Sequence, residues 1–219
     1  GIGQVSHALC DAELAGELDE AAIAQPVLKH RLDFGGAAGA LEAAMARHAP
    51  TFDAVDTAAD DTCLLAFTSG TTGVPKATMH FHRDVMAACA CWPPHVLRAQ
   101  ADDVFIGSPP LAFTFGLGGL LLFPMAVGAS TVLLPRATPP DLVAGIQEHC
   151  ATVLFTAPTS YRVMAARGYE LRATPLRKCV SAGELLPAAT RVEWKQATGI
   201  FFFDGIGSTE MLHIFISAD

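Results

Sequence analysis

The sequence predicts an α/β fold, with largely parallel β-sheets flanked by helices. From residue 61 onward, short apolar runs alternate with longer amphipathic stretches, which is the pattern of β-α units. Of the 219 residues, 51% are hydrophobic and 16% are charged, so the chain has enough apolar surface for a large core. The length alone fits either a single domain or two small units.

Residues 1–60 are expected to form a helical and strand portion of the same domain as the rest of the chain. Ala-rich stretches predict helices over residues 11–23 and 36–48, with a strand near residues 27–32 between them. The acidic segment 51–61 precedes the first strongly apolar strand, which marks it as the junction with a core over residues 61–219.

The core is expected to alternate strands with helices. The helix over residues 139–150 begins with two prolines and Asp141, which is favourable chemistry for a helix N-terminus. A second helix, over residues 187–198, ends before Gly199, a natural C-terminal stop. Strands are predicted over residues 64–68, 104–107, 131–134, 153–156, 178–180 and 200–203.

The charge balance argues against a nucleic-acid partner. The formal net charge is −8, whereas a protein that binds the phosphate backbone needs a clustered basic surface. Residues 104–135 contain no Asp, Glu, Lys or Arg, but glycines and prolines interrupt them, which favours buried strands and helices over a membrane span. Six cysteines without CxxC spacing predict reduced, mostly buried thiols and a cytoplasmic protein.

A hydroxyl-rich loop directly follows the strand predicted over residues 64–68. Glycines let backbone N–H groups approach an anion, hydroxyls add donors and a lysine adds positive charge, so the loop suits a polyphosphate. It is not a Walker A loop, because Lys76 is followed by Ala77, which has no hydroxyl for Mg²⁺. Composition alone leaves an ordinary surface turn open. The loop consists of Thr68, Ser69, Gly70, Thr71, Thr72, Gly73, Val74, Pro75 and Lys76.

In its ordered sequence, this loop resembles the signature loop of the adenylate-forming superfamily, which includes acyl-CoA synthetases, peptide-synthetase adenylation domains and firefly luciferase. A second run near the end of the chain is similar to the family's adenine and magnesium motif. It consists of Asp204, Gly205, Ile206, Gly207, Ser208, Thr209 and Glu210. The resemblance places Asp204 at the adenine amino group, and Ile206 stands where many members carry a tyrosine that stacks on the base.

Two further segments resemble parts of the family's binding pocket. Ser181, Ala182, Gly183 and Glu184 are similar to the loop whose backbone lies along the adenine and the acyl group. Phe113, Thr114, Phe115 and Gly116 belong to a segment that resembles the family's acyl-binding segment, in which Phe113 stands where relatives place an aromatic or histidine gate. The positions that match those enclosing a flat ring in benzoate-CoA and 2-aminobenzoate-CoA ligases are Phe115, Phe123, Gly205, Gly207, His213 and Ile214, and the resemblance implies that these segments bind the substrate.

The four histidine and arginine side chains near these motifs carry separate expectations. His213 is expected to donate a hydrogen bond to the aryl carboxylate or to a ring substituent, with an interior structural role as the alternative. His80, His82 and Arg83 are expected to be structural or solvent-facing, because they form no recognisable metal-ligand set.

The resemblance implies an AMP-forming acyl-CoA ligase, similar to benzoate-CoA or 2-aminobenzoate-CoA ligase. Its cofactors would be ATP, Mg²⁺ and coenzyme A, and an aromatic carboxylic acid would pass through acyl-AMP to acyl-CoA. Lys76 would restrain the β and γ phosphates, Thr209 would orient the reacting oxygens and Glu210 would hold the metal ion. Lys76 and Glu210 are therefore expected to converge on one triphosphate.

Relatives continue with a ribose-binding aspartate, a hinge and a small C-terminal domain that supplies a lysine. The chain is therefore expected to be an incomplete large N-terminal domain that is inactive alone. Three alternatives stay open: a non-catalytic nucleotide- or acyl-binding module, another adenylating enzyme that acts on fatty or amino acids, and a membrane protein built on residues 104–135. The oligomeric state is open as well.

Overall fold

A computed structural model describes residues 3–24, 26–35, 40–68, 75–166 and 168–218. The chain divides into two compact units, residues 1–57 and 58–219. In the first unit, β1 (His7–Asp11) and β2 (His30–Phe34) pair in parallel. Two helices, α1 (Ala15–Ala24) and α2 (Ala40–Met45), follow these strands along the chain.

The first unit differs from its predicted elements mainly at their ends. The helix predicted over residues 11–23 opens instead with a 3₁₀ turn, because the Asp11 carboxylate accepts a hydrogen bond from the Glu13 N–H at 2.9 Å. The strand predicted near residues 27–32 lies over His30–Phe34, and β1 was not predicted. Of the helix predicted over residues 36–48, Ala40–Met45 is helical, and residues 36–39 lie outside the described residues.

The second unit is built on a six-stranded sheet and a separate β-hairpin. The hairpin pairs β3 (Thr62–Thr68) with β4 (Lys76–Phe81) in antiparallel fashion. The strand order of the sheet is β10-β9-β8-β7-β5-β6, and every pair is parallel except β9 with β10. Its strands are β5 (Val104–Gly107), β6 (Ser130–Val132), β7 (Val153–Thr156), β8 (Lys178–Ser181), β9 (Phe202–Gly207) and β10 (Ile214–Ala218).

Helices connect these strands, and the predicted signals mark the ends of two of them. Helix α6 begins with a capping box, in which Asp141 and Thr138 exchange hydrogen bonds. Helix α9 ends at Gly199, whose φ of 82° lies in the left-handed region that glycine adopts without strain. The helices are α3 (His82–Trp92), α4 (Thr114–Leu117), α5 (Phe123–Val127), α6 (Pro139–Glu148), α7 (Pro158–Ala165), α8 (Gly168–Leu171) and α9 (Ala188–Thr198).

Apolar side chains cover both faces of the sheet. Successive residues of a strand point to opposite faces, so Ile106 and Leu154 join one cluster whereas Phe105 and Phe155 join the other. Helices α6, α7 and α9 pack on the first face, where Trp194 is fully buried. Helices α3 and α5 contribute to the second cluster. The predicted α/β fold with a largely parallel sheet is therefore confirmed.

Two other expectations meet the structure in this unit. The uncharged segment 104–135 folds as β5, α4, α5 and β6, and among the described residues no helix has both the length and the apolar character needed to cross a bilayer. All six cysteines are free, but the prediction that most are buried is wrong. Only Cys179 is buried. Cys63, Cys91 and Cys150 are exposed, so the apolar residues near them in the sequence do not cover them in the fold.

Candidate active site

The hydroxyl-rich loop is the connection of the β-hairpin. Thr68 is the last residue of β3 and pairs across the hairpin with Lys76, the first residue of β4. The pairing fixes both ends of the loop and leaves the Lys76 side chain exposed. The loop residues between them that were predicted to bind phosphate, Ser69, Gly70, Thr71, Thr72 and Gly73, lie outside the described residues.

A buried histidine connects this hairpin to the turn that carries Thr209 and Glu210. His80 on β4 is only 3% exposed, and its Nε2 lies 2.8 Å from the Thr209 carbonyl oxygen. Because a carbonyl oxygen can only accept, the Nε2–H of His80 donates. His80 therefore has a structural role, as expected. It links the β3–β4 hairpin, which we call the phosphate hairpin after the loop that was predicted to bind phosphate, to the turn after β9 across 129 positions of sequence.

Parts of the predicted motifs line a cavity of about 190 Å³, which we call the central cavity, but Lys76 and Glu210 are not among its lining residues. The end of β3 forms one side of it, and the turns after β8 and β9 form another. The segment that precedes and enters α4 supplies the aromatic side. The lining residues are Ala66, Phe67, Ala112, Phe113, Thr114, Phe115, Ala182, Gly183, Gly207, Ser208, Thr209, His213 and Ile214.

A second cavity, of about 460 Å³, lies along the turn after β8 and the length of β9; we call it the edge cavity. It shares Gly183 and Gly207 with the central cavity. Asp204 lines it, with a side chain that is 26% exposed, and one carboxylate oxygen accepts a hydrogen bond from Arg191 at 3.2 Å. Glu184, Gly205 and Ile206 complete the predicted adenine positions along its wall.

Small residues are required where β9 meets β10. A Cβ atom added to Gly207 would lie 2.9 Å from the His213 carbonyl oxygen, and one added to Gly205 would overlap the Ile214 side chain. These glycines therefore allow β10 to pair with β9 directly beside the cavities. Ser181 and Gly116 line none of the cavities, since Ser181 is buried at the end of β8 and Gly116 packs beneath the carbonyls of residues 109–110.

The third cavity, of about 580 Å³, lies between α3 and the turn that follows β9; we call it the apolar cavity, after the apolar side chains of Trp92, Phe123 and Ile214 in its wall. Phe123 and Glu210 lie in its wall, and it shares His213 and Ile214 with the central cavity. The contribution of α3 was not predicted, although the helical spacing of its lining positions was a usable signal. Those positions are Asp84, Ala87, Ala88, Cys91 and Trp92.

His213 lies at the centre of an aromatic cluster between the central and apolar cavities. Its ring centroid is 4.5 Å from that of Phe123 and 5.5 Å from those of Phe115 and Trp92. Burial lowers the pKa of His213 to about 4, although its hydrogen bond to the Phe115 carbonyl opposes that shift. The imidazole is therefore neutral at physiological pH.

The hydrogen bonding of His213 differs from the donor role that was predicted for it. Nε2 lies 3.2 Å from the Phe115 carbonyl oxygen and must donate to it. In the neutral ring Nδ1 then carries no proton and can only accept, and it has no partner among the described residues. The other edge of the ring faces Gly118, where an added Cβ atom would overlap it. The available atom of His213 is therefore an acceptor.

The depressed pKa predicts a pH-dependent contribution of His213 to stability. The unfolded chain binds this proton below pH 6.5, but the folded protein binds it only near pH 4. The free energy of unfolding should therefore decrease as the pH falls from 6.5 to 4, by about 3 kcal/mol from this residue. Urea unfolding at several pH values measures it. His213→Gln should remove this part of the slope and His149→Gln, at an exposed histidine, should keep it; equal slopes in all three proteins contradict the assignment.

Glu210 was predicted to hold Mg²⁺, and its exposed carboxylate suits that ion. Among the described residues no group of three or more His, Cys, Asp or Glu side chains could hold a metal ion together. Mg²⁺ keeps several waters and is commonly bound by one or two carboxylates plus substrate phosphates. A single exposed carboxylate beside Thr209 fits this mode of binding.

Comparison with known proteins supports the same interpretation. Residues 3–219 match the family described as AMP-binding enzyme. The benzoate–CoA ligase of Thauera aromatica is 39% identical over 199 residues, which cover 88% of this chain and 37% of the ligase. The 4-hydroxybenzoate–CoA/benzoate–CoA ligase of Rhodopseudomonas palustris is 40% identical over 167 residues, which cover 74% of this chain and 30% of that protein.

A solved structure shares the fold. The anthranilate CoA ligase AuaEII in complex with anthranoyl-AMP superposes with a TM-score of 0.90 at 34% identity, over 98% of this chain and 43% of that chain. The chain thus spans less than half the length of these relatives. Because the family match extends over nearly all of its residues, the chain belongs to the family of AMP-binding enzymes.

Proposed function

We propose that the protein that carries this chain activates an aromatic carboxylic acid with ATP to acyl-AMP and transfers the acyl group to coenzyme A. The observation that carries this proposal is the central cavity. It places Gly183, Gly207 and Thr209, which were predicted to bind nucleotide, beside the aromatic side chains of Phe113 and Phe115. In this proposal the substrate carboxylate lies on the nucleotide side of the cavity and its ring on the aromatic side.

The proposed reaction has two steps. The substrate carboxylate attacks the α-phosphorus of ATP and pyrophosphate leaves; the thiol of coenzyme A then attacks the acyl-adenylate carbonyl and AMP leaves. Positioning and charge neutralisation supply most of the rate in such displacements. Lys76 restrains the β and γ phosphates, Thr209 orients the reacting oxygens and Glu210 binds Mg²⁺. The ion, when bound, offsets the charge that develops on the phosphate oxygens.

Aromatic residues and His213 favour a substituted benzoate over an aliphatic acid. Rings of Phe115, Phe123 and Trp92 surround the imidazole, and stacked or edge-on contacts with a substrate ring are favourable in such a cluster. The unpartnered Nδ1 of His213 suits a ring amino or hydroxyl group that donates a hydrogen bond. The names of the relatives include benzoate, 4-hydroxybenzoate and anthranilate.

The test is acid-dependent pyrophosphate release with Mg²⁺ and ATP, made on the protein with all the sequence that it natively carries. Benzoate, 2-aminobenzoate and 4-hydroxybenzoate should each stimulate release, whereas hexanoate should stimulate it weakly. A faster reaction with hexanoate would point to a fatty-acid enzyme. Nucleotide binding without any acid-dependent release would instead show a non-catalytic binding module.

The same measurements on the 219 residues alone test whether they need further sequence for turnover. We expect binding of nucleotide or acid without turnover, because the resemblance assigns the adenylation lysine to a separate C-terminal domain. We also place the protein in the cytoplasm, where a reducing environment suits its six free cysteines.

A further inference from the structure

Arg191 approaches Asp204 from outside the edge cavity. It lies on α9, and its Nη2 donates to Asp204 Oδ2 at 3.2 Å. Asp204 lines the edge cavity, but Arg191 does not. The arginine occupies one carboxylate oxygen, Oδ2, and no side chain among the described residues hydrogen-bonds the second oxygen, Oδ1, which remains as an acceptor for a ligand.

The main chain of Asp204 is fixed on both sides, so only its side chain has freedom left. Asp204 pairs with Ser181 of β8 and with Ala218 of β10. The Ser217 hydroxyl also donates to the Asp204 carbonyl oxygen at 3.0 Å. Of the described residues, Arg191 is the one whose side chain hydrogen-bonds the carboxylate. Removing Arg191 would therefore free the carboxylate to rotate while the strand stays in place.

Arg191 is itself held in position. Its guanidinium carbon lies 6.0 Å from the centroid of the Phe202 ring, which is 2% exposed. A planar guanidinium stacks on an aromatic ring and still donates in a fixed direction, which a flexible ammonium group does less well. The side chains of Arg191 and Asp204 are 39% and 26% exposed, so the pair is partly screened from solvent.

We propose that Arg191 is a positioning residue that sets which nucleobase the edge cavity accepts. The inference rests on the proposed function, in which a nucleotide occupies this cavity. A carboxylate oxygen accepts a hydrogen bond from the 6-amino group of a purine but repels the oxygen of a 6-oxo purine. Because Arg191 holds the Asp204 carboxylate in one position, the cavity binds 6-amino purine nucleotides more tightly than 6-oxo purine nucleotides.

The test compares the binding of AMP and IMP, which differ in the 6-substituent, by calorimetry on the protein with all the sequence that it natively carries. The unchanged protein should bind AMP more tightly than IMP. Arg191→Met should reduce the ratio of the Kd for IMP to the Kd for AMP by about tenfold, since the Asp204 carboxylate is then no longer held in one position as an acceptor. Arg191→Lys should reduce it by about threefold, because lysine keeps the charge without the directed fork. The matched control is Lys195→Met, one turn further along α9, where Nζ lies 4.0 Å from the Phe201 ring centroid; it should leave the ratio unchanged.

Other outcomes separate the two proposals. If the unchanged protein binds AMP and IMP equally, or if Arg191→Met binds them in the unchanged ratio, the role of Arg191 is overturned while nucleotide binding stands. If neither nucleotide binds to the unchanged protein, the proposed function is overturned at this cavity, and the inference with it. Circular dichroism shows whether each variant folds. Should Arg191→Met fail to fold, an unchanged ratio in Arg191→Lys overturns the role.

Discussion

Replacing Glu210 by glutamine is expected to slow acid-dependent pyrophosphate release by a factor on the order of 10² to 10³, because the variant loses a charge that holds Mg²⁺ in the transition state. Glutamine has nearly the same shape and the side chain is exposed, so the fold should not change. The variant should also need more Mg²⁺ for half-maximal rate.

Lys76→Ala should slow the same step, since it removes the cation from the phosphate hairpin.

A matched control distinguishes loss of metal binding from loss of charge alone. Glu193 lies exposed on α9, and Glu193→Gln makes the same chemical change away from the cavities. It should leave the rate and the Mg²⁺ requirement unchanged. A Glu210→Gln enzyme with the original rate at low Mg²⁺ would remove Glu210 from the mechanism.

The adjacent strands β5 and β7 could be predicted with their bounds because each is a short run rich in apolar residues. Parallel strands covered on both faces need such runs, so β5 and β7 coincide with their predicted bounds. Strand β9 continues past residue 203, its predicted end, to Gly207, because Gly205 and Gly207 permit the close approach of β10. Strand β10 itself could not be predicted, since its pairing with β9 depends on the turn between them rather than on its own pattern.

The residues of the site that belong to short motifs could be predicted from the sequence. Contacts between residues that are distant in the sequence could not. Gly183, Gly207 and Thr209 line the central cavity, whereas Glu210 lines the apolar cavity and Lys76 is among the lining residues of neither. The expected convergence of Lys76 and Glu210 on one triphosphate therefore stays a prediction. By contrast, the contacts of His80 with Thr209 and of Arg191 with Asp204 join different elements. Neither pair has a spacing that marks it in the sequence, so both depend on the tertiary fold.

One buried carboxylate connects the N-terminal ends of three parallel strands of the sheet. Asp103, 1% exposed, precedes β5; its oxygens lie 2.6 Å from Lys178 Nζ and 2.7 Å from Arg177 Nη2. The Thr152 hydroxyl, just before β7, also donates to it at 2.7 Å. Burial alone would raise the pKa of Asp103, but the hydrogen bonds from Lys178, Thr152 and the Gln100 N–H outweigh it and lower the pKa. The charged form thus ties together the beginnings of β5, β7 and β8.

Asp103→Ala should therefore lower the free energy of unfolding by about 3 kcal/mol, because it removes the buried carboxylate and leaves the partly buried Lys178 without its counter-ion. Its neighbour Asp102 has a side chain that is 79% exposed and lies 3.6 Å from Arg177, so Asp102→Ala should change stability by less than about 1 kcal/mol. Urea unfolding measures both variants. The difference between Asp103→Ala and the unchanged protein should be constant at neutral pH and shrink as the pH falls below the ordinary value of 3.8 toward the lowered pKa. A loss of similar size in Asp102→Ala would show that surface charge, and not the buried network, stabilises these strands.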